Sequence, residues 1–230
     1  MIWITGDTHG EFTRFASKNF PEGKTLTKDD CMIVLGDFGG IWDVNESQKE
    51  EQYWIDWLTQ KPWTTLFLAG NHENYDRLNA LPEARKFGSV VGKVNDSIFY
   101  LKSGEIYTID NKKLFVFGGA KSEDKDQRIE YISWWKQEEP SCTEYDKGLD
   151  NLEKNNWQVD YILTHTAPYF IVKAIAGYLF GSAPYALTKY LDQIAAKANF
   201  RQWYIGHFHF ENSFCNNKFN LIYKKIIKLD

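Results

Sequence analysis

Five histidines occur in the 230 residues, and each stands at or just past the end of a short apolar run. His9 lies in Gly6-Asp7-Thr8-His9-Gly10, His72 in Ala69-Gly70-Asn71-His72-Glu73, His165 in Leu163-Thr164-His165-Thr166, and His207 and His209 in Gly206-His207-Phe208-His209. A fifth run ends in Leu35-Gly36-Asp37 and supplies a carboxylate alone. Imidazole, carboxylate and amide oxygen are metal donors, and a mixed nitrogen and oxygen set without thiolate suits Mn²⁺, Fe²⁺/Fe³⁺ or Zn²⁺. The eight residues Asp7, His9, Asp37, Asn71, His72, His165, His207 and His209 are too many for one tetrahedral ion and match two. Two ions about 3.5–4 Å apart can share a bridging carboxylate and a hydroxide made available near neutral pH, an arrangement that serves in-line attack on phosphorus. Taken singly, a histidine at a strand end is usually a hydrogen-bonded structural residue, and an Asp or Asn there a turn former. Packing does not require all of them together at strand ends marked by Gly or Thr.

The runs that would position these residues are Ile2–Thr5, Cys31–Leu35, Thr65–Ala69, Leu114–Phe117, Tyr161–Thr164 and Trp203–Ile205, rich in β-branched and aromatic residues as buried strands are. Helical spacing appears over Glu46–Gln60, with Trp54, Trp57 and Leu58 on one side, and over Glu144–Asn155. It is clearest over Pro184–Ala198, with Ser182 available as a cap. Ser97–Tyr100 and Ile106–Ile109 read as antiparallel strands around Lys102-Ser103-Gly104, and Leu221–Lys228 as a half-exposed final strand, so the sheet content is mixed. Alternation of strands and helices predicts an α/β layered fold in one domain, residues 1–230. In open α/β sheets the carboxyl ends of the strands meet at one crevice, which would gather the eight residues.

Composition bounds the class. Hydrophobic residues at 43% and charged residues at 25% are ordinary for a globular protein, and a net charge of -4 with pI near 5.8 gives no global attraction to nucleic acid or anionic lipid. The three cysteines, Cys31, Cys142 and Cys215, have no metal-type spacing and fit a reduced chain. With no visible signal peptide, and with Tyr169–Phe180 too short to span a bilayer, the expectation is a cytoplasmic protein without a membrane partner. Asn45-Glu46-Ser47 and Asn95-Asp96-Ser97 match the glycosylation pattern, which carries little weight without a secretion signal.

In order, Asp7-Thr8-His9, Gly36-Asp37, Gly70-Asn71-His72-Glu73, His165 and Gly206-His207-Phe208-His209 resemble the calcineurin-like metallophosphoesterase superfamily over residues 7 to 209. The resemblance implies a four-layer sandwich of two mixed β-sheets flanked by helices, with two metal ions at the strand ends. It implies that Asp7, His9 and His209 hold one ion, that Asn71, His165 and His207 hold the other, and that Asp37 bridges them. His72 would then donate a proton to the leaving oxygen or stabilise charge on the phosphoryl group. One departure is visible. The protein Ser/Thr phosphatase branch continues Gly-Asp into Asp-Arg-Gly, whereas this chain reads Gly36-Asp37-Phe38-Gly39-Gly40, without that phosphate-gripping arginine.

The expected function is a dinuclear metal-dependent phosphoesterase, acting on a phosphomonoester or phosphodiester by attack of metal-bound hydroxide. The phosphorylated substrate could be a small molecule, nucleotide or phosphoprotein. A nuclease or nucleotide phosphodiesterase is the alternative within enzymes, disfavoured by the acidic balance. A non-catalytic scaffold on the same fold is the alternative outside them, and it predicts eroded ligand positions that this chain does not have. Asp43, Glu73 or Asp76 are candidates to orient His72, and Arg14, Arg77, Lys121 or Arg128 to contact phosphate. Trp134 and Trp135 are read as core packing in preference to a surface that stacks a base, and the aromatics of Tyr169 to Tyr185, including Tyr178 and Phe180, as a wall or lid at the site or else as core packing or a dimer contact.

Overall fold

The computed structural model describes residues 1–44, 49–176 and 183–230. Its strands are β1 (Ile2–Thr5), β2 (Cys31–Val34), β3 (Thr64–Phe67), β4 (Glu83–Lys86), β5 (Ser89–Lys93), β6 (Ile98–Leu101), β7 (Ile106–Ile109), β8 (Lys112–Phe117), β9 (Tyr161–Thr164), β10 (Gln202–Ile205), β11 (Asn212–Phe214), β12 (Phe219–Leu221) and β13 (Ile226–Leu229). The helices are α1 (Lys49–Thr59), α2 (Tyr75–Ala80), α3 (Cys142–Lys154), α4 (Tyr169–Ala176) and α5 (Ala186–Lys197). The strands form two mixed sheets, ordered β13-β1-β2-β3-β6-β5-β4 and β11-β12-β10-β9-β8-β7.

Apolar side chains in β2 and β9 are buried at every position because each sheet is covered on both faces. Alternate residues point to different cores. Ile33 and Leu35 meet Val116, Tyr161 and Leu163 between the sheets, while Met32 and Val34 pack outward with Leu58 of α1, Trp63 and Trp135. On the far side, Phe117, Ile162 and Trp203 are covered by Leu152 of α3, Ile171 of α4 and Leu187, Leu191 and Ile194 of α5. The result is helix, sheet, sheet, helix: the expected four layers. Trp135 lies in the core with its indole N–H donated to Asp76, in agreement with packing.

Two expectations are corrected. Ser97–Tyr100 and Ile106–Ile109 do not pair: β6 joins the first sheet beside β3, and β7 joins the second, antiparallel to β8. Lys102-Ser103-Gly104 is a crossing between sheets, where Gly104 has φ +79° and its N–H is donated to Val116. The final strand is also divided, into β12 and β13. The break falls where one oxygen of Glu211 accepts the backbone N–H groups of Tyr223, Lys224 and Lys225, which removes them from a ladder. Helix α5 starts at Ala186 with Tyr185 as its cap residue. Ser182, Tyr178 and Phe180 lie outside the described residues, as do Asn45, Glu46 and Ser47 of the expected first helix and glycosylation match.

Candidate metal centre

Strands β1, β2 and β3 run parallel in one sheet, and β9 and β10 run parallel in the other. Their carboxyl ends deliver the first four loops and the last, and all eight candidate residues come together there. Asp7 and Asp37 are fully buried, and each divides its oxygens in the same way. Asp7 Oδ1 accepts the backbone N–H of His207 at 2.8 Å, and Asp37 Oδ1 accepts that of His72 at 2.8 Å. The Oδ2 atoms are left for the site.

Around Asp7 Oδ2, His209 Nε2 approaches to 3.0 Å and His9 Nε2 to 3.9 Å, while the two imidazole nitrogens face each other at 3.0 Å. Asp7 Oδ2 is nonetheless buried without a hydrogen-bond partner. A buried anionic oxygen is costly to leave unpaired, and imidazole nitrogens meeting it suit a cation. The ligand atoms of Asp7, His9, Asp37 and His209 all lie within 4.8 Å of one another. On the other side, His165 Nδ1 donates to the Leu35 carbonyl at 2.8 Å, which directs Nε2 toward Asn71 Oδ1 at 3.0 Å and Asp37 Oδ2 at 3.5 Å. The His207 ring stands 5.0 Å from that of His165. Asp37 Oδ2 is also 3.6 Å from His9 Nε2, so this one oxygen faces both groups. The carboxylate and imidazole donors of Asp7, His9, Asp37 and His209 fit a hard-to-borderline cation.

The backbone is strained where it presents these groups. His9, Asp37, His207 and His209 have φ of 46°, 46°, 69° and 55°, values that non-glycine residues rarely adopt. Such conformations cost on the order of 1–3 kcal/mol each and persist where neighbouring bonds overdetermine them. Here the loops are laced together: Thr8 and His9 N–H groups are donated to the Asp37 carbonyl at 3.1 and 2.7 Å, and the Thr8 hydroxyl to the Phe38 carbonyl at 2.7 Å. Gly36, at φ +92°, lies under the His165 ring, which a Cβ there would strike.

Charge follows from burial and from the carboxylates. Burial pulls His165 down, but Asp37 and Asp7 outweigh it and lift it to about 9. Burial pushes Asp37 up, yet His165, His72 and His9 hold it well below the usual carboxylate range. Burial and the neighbouring His165 drive His207 down to about 4. His9 and His72 are lowered by burial, with Asp37 opposing. Glu73, fully buried and close to Asp37, is pushed up to about 8. It clamps two loops by accepting Phe38 N–H at 2.8 Å and Gly70 N–H at 3.4 Å.

A cavity of about 370 Å³ opens over the centre, lined by His9, Gly39, Trp42, His72 and Arg128. Among the candidate cations, Arg128 is the one that lines it. Arg14 instead donates to the carbonyls of Asp7 and Tyr223, each at 2.7 Å, and Arg77 pairs with Glu51. Lys121 lines a different cavity. Of the carboxylates considered for His72, Glu73 is engaged with backbone and Asp76 with Trp135; Asp124, which was not among them and is held to Arg128, acts on the His72 charge along with Asp37. Trp42, Asp124 and the Ser122–Glu138 pair behind Asn71 were not singled out from sequence for these places. Trp42 follows the Gly39-Gly40 pair closely enough to have been a candidate; nothing in the spacing marks Glu138.

The family model for calcineurin-like phosphoesterases matches residues 1–211. The chain belongs to that family. It is a phosphoric ester hydrolase, built on the metallophosphoesterase fold. No curated protein matches this phosphoesterase in sequence. Among solved structures, phosphopantetheinyl hydrolase from Mycobacterium tuberculosis is similar at 17% identity and a TM-score of 0.44, over 96% of this chain and 87% of that one. A Staphylococcus aureus protein assigned as a 5'-nucleotidase is similar at 12% identity and a TM-score of 0.50, over 100% of this chain and 51% of that one. The phosphoesterase thus spans about half the length of the second neighbour. No helix among the described residues is long and apolar enough to cross a membrane.

Proposed function

We propose that residues 1–230 act as one domain and form a dinuclear phosphoesterase that hydrolyses small phosphorylated molecules, phosphomonoesters in preference to phosphodiesters. The observation that carries the dinuclear reading is Asp37 Oδ2, buried and facing His9 Nε2 at 3.6 Å and His165 Nε2 at 3.5 Å. Asp7, His9 and His209 would hold one ion, Asn71, His165 and His207 the other, with Asp37 shared. Mn, Fe or Zn ions bound there would neutralise phosphate charge and acidify water for attack on phosphorus.

The remaining work falls to the chain. His72 lines the cavity beside His9, ring centroids 5.7 Å apart, and would protonate the leaving oxygen through a ring nitrogen. Burial lowers its basicity, and an incoming phosphate dianion favours the protonated ring. Arg128 is held by Asp124 through Nε and Nη2, at 2.8 and 2.7 Å, and by the Ser133 carbonyl through Nη1 at 3.1 Å. Three of its five N–H donors are engaged, leaving one on each Nη nitrogen for phosphate oxygens. A monoester offers the additional non-bridging oxygen, which supports the preference. Trp42 supplies an apolar wall, and the cavity volume suits a small ligand. The free thiols of Cys31, Cys142 and Cys215 support a reducing, cytoplasmic setting.

The test is metal-stripped protein reloaded with Mn²⁺, assayed on an aryl phosphomonoester and the matching phosphodiester. Two ions per chain and a monoester-to-diester turnover ratio well above one are expected. Saturation at one ion, or turnover by protein shown metal-free by elemental analysis, would overturn the reading.

A further inference from the structure

Behind Asn71 stands a three-residue chain of hydrogen bonds that does not touch the cavity. Asn71, Ser122 and Glu138 are all buried, at 4%, 3% and 1% exposure. Glu138 accepts twice from Ser122: from its backbone N–H at 2.8 Å through Oε1, and from its hydroxyl at 2.5 Å through Oε2. A serine hydroxyl has one hydrogen, so once that is given to Glu138 only lone pairs remain on Oγ. The Asn71 amide contacts that oxygen at 3.1 Å and must present its Nδ2–H to it. Oδ1 then faces His165 Nε2. The two ends of an asparagine amide are nearly the same shape, so packing alone does not choose between them; the hydrogen-bond network does.

We infer that Glu138 and Ser122 are positioning residues that fix the polarity of the Asn71 amide, so that its oxygen rather than its NH₂ group faces the metal centre. The inference rests on Asn71 being a metal ligand, as proposed above. An NH₂ group in that place repels a cation, whereas an oxygen coordinates it, so orientation decides affinity. The inserted segment between β8 and α3 thereby acquires a role at the centre although neither residue reaches it.

An isosteric change reverses the chain. In Glu138→Gln the side-chain carbonyl still accepts the Ser122 N–H, but its NH₂ group donates to Oγ. The serine hydroxyl then donates to Asn71, which turns its oxygen away from the centre. Mn²⁺ binding to stripped protein is to be measured by titration for the parent, Glu138→Gln, Ser122→Ala, Asn71→Leu, Asn71→Asp and the Asn71→Asp/Glu138→Gln double variant, with thermal unfolding alongside. Expected are two ions in the parent and at least about tenfold weaker binding of one ion in Glu138→Gln, the other being unchanged. Asn71→Asp, whose two oxygens are equivalent, should suppress the Glu138→Gln loss, which a merely structural defect would not allow. Should Ser122→Ala or Glu138→Gln prove unstable, suppression in the Asn71→Asp background remains the deciding comparison. Parent-like affinity for both ions in Glu138→Gln, or a loss that persists in the double variant, overturns the inference. Retention of both ions by Asn71→Leu overturns instead the ligand assignment on which it stands.

Discussion

Replacing Gly70 by alanine puts a methyl group into the space that Asp37 occupies. The new Cβ would lie 2.7 Å from Asp37 Cγ, and closer still to Oδ1 and the backbone nitrogen. Carbon atoms rest about 3.5–4.0 Å apart, so the carboxylate has to retreat by about 1 Å. It cannot retreat freely, because Oδ1 holds the His72 N–H and the Asp37 carbonyl holds Thr8 and His9. Displacement therefore spreads to the residues on both sides of Oδ2. A misplacement of about 1 Å is worth roughly 100-fold in turnover, and overpacking a tight interior costs about 1–3 kcal/mol in stability. Gly88→Ala is the control: its φ of +81° makes alanine costly by about 1 kcal/mol, but the nearest atom is Thr108 Oγ1 at 3.9 Å, remote from the centre. The assay is kcat/KM on an aryl phosphomonoester, with Mn²⁺ stoichiometry and Tm for each variant. Gly70→Ala should lose about two orders of magnitude and weaken both ions, while Gly88→Ala loses stability and keeps activity. Gly70→Ala protein with parent-like turnover and metal content would refute the idea that the reaction depends on where Asp37 is held.

Asp37→Asn should abolish turnover and weaken both ions together in a metal titration; selective loss of one ion would remove Asp37 from its shared position. His72→Ala should retain two ions by elemental analysis and lose about 10²–10⁴-fold on a substrate with a poor leaving group, and undiminished turnover on an alkyl phosphate would end its role as acid. Glu73 gives a pH dependence in metal-free protein. Its folded pKa, about 8, lies above the ordinary 4.5, so the unfolded chain sheds the proton first and stability falls as pH rises between those values. Glu73→Gln escapes that loss, and its Tm relative to the parent should climb from pH 4.5 to about 8; a constant difference across that window would show that the parent residue does not titrate there.

Much of this architecture is legible from the chain because the runs that carry the centre are buried on both faces. Ile2–Thr5 and Tyr161–Thr164 were delimited to the residue, and each is followed within three residues by its polar group. The hairpin β4–β5 was missed because Glu83–Lys86 is half exposed at the sheet edge and lacks an apolar run. The crossing at Lys102-Ser103-Gly104 was misread because a glycine turn looks the same whether the next strand returns to its neighbour or enters another sheet. Pairing with β3 on one side and β8 on the other decides, and both partners are distant in the chain or settled by a second hairpin. At the site, Asp and His after a strand can be recognised by type, but Arg128 could not be told from Arg14 by spacing. Only the fold shows that one guanidinium ties backbone carbonyls together and the other faces the cavity.

What holds the centre in shape is the division of labour within each carboxylate. One oxygen of Asp7 binds the loop after β10 and one oxygen of Asp37 binds the loop after β3, so each acid spans two strand ends before it meets any cation. The strained φ values of His9, Asp37, His207 and His209 are thereby sustained by backbone bonds already made. The charge balance is less complete. Two buried carboxylates face imidazoles, and His165, lifted to about 9 by Asp37 and Asp7, carries a proton at neutral pH in the absence of a stronger cation. Its Nδ1 hydrogen is given to the Leu35 carbonyl, so the additional proton sits on Nε2, the lone pair that faces Asp37 Oδ2 and Asn71 Oδ1. A metal ion bound there as proposed would have to displace this proton, and its affinity would rise with pH for that reason. The same carboxylates that raise the proton's affinity would also raise that of such a metal ion, and a dication would gain more from them than a proton does. The geometry is thus arranged in advance by hydrogen bonds, and the cations of the proposed centre would satisfy the charge.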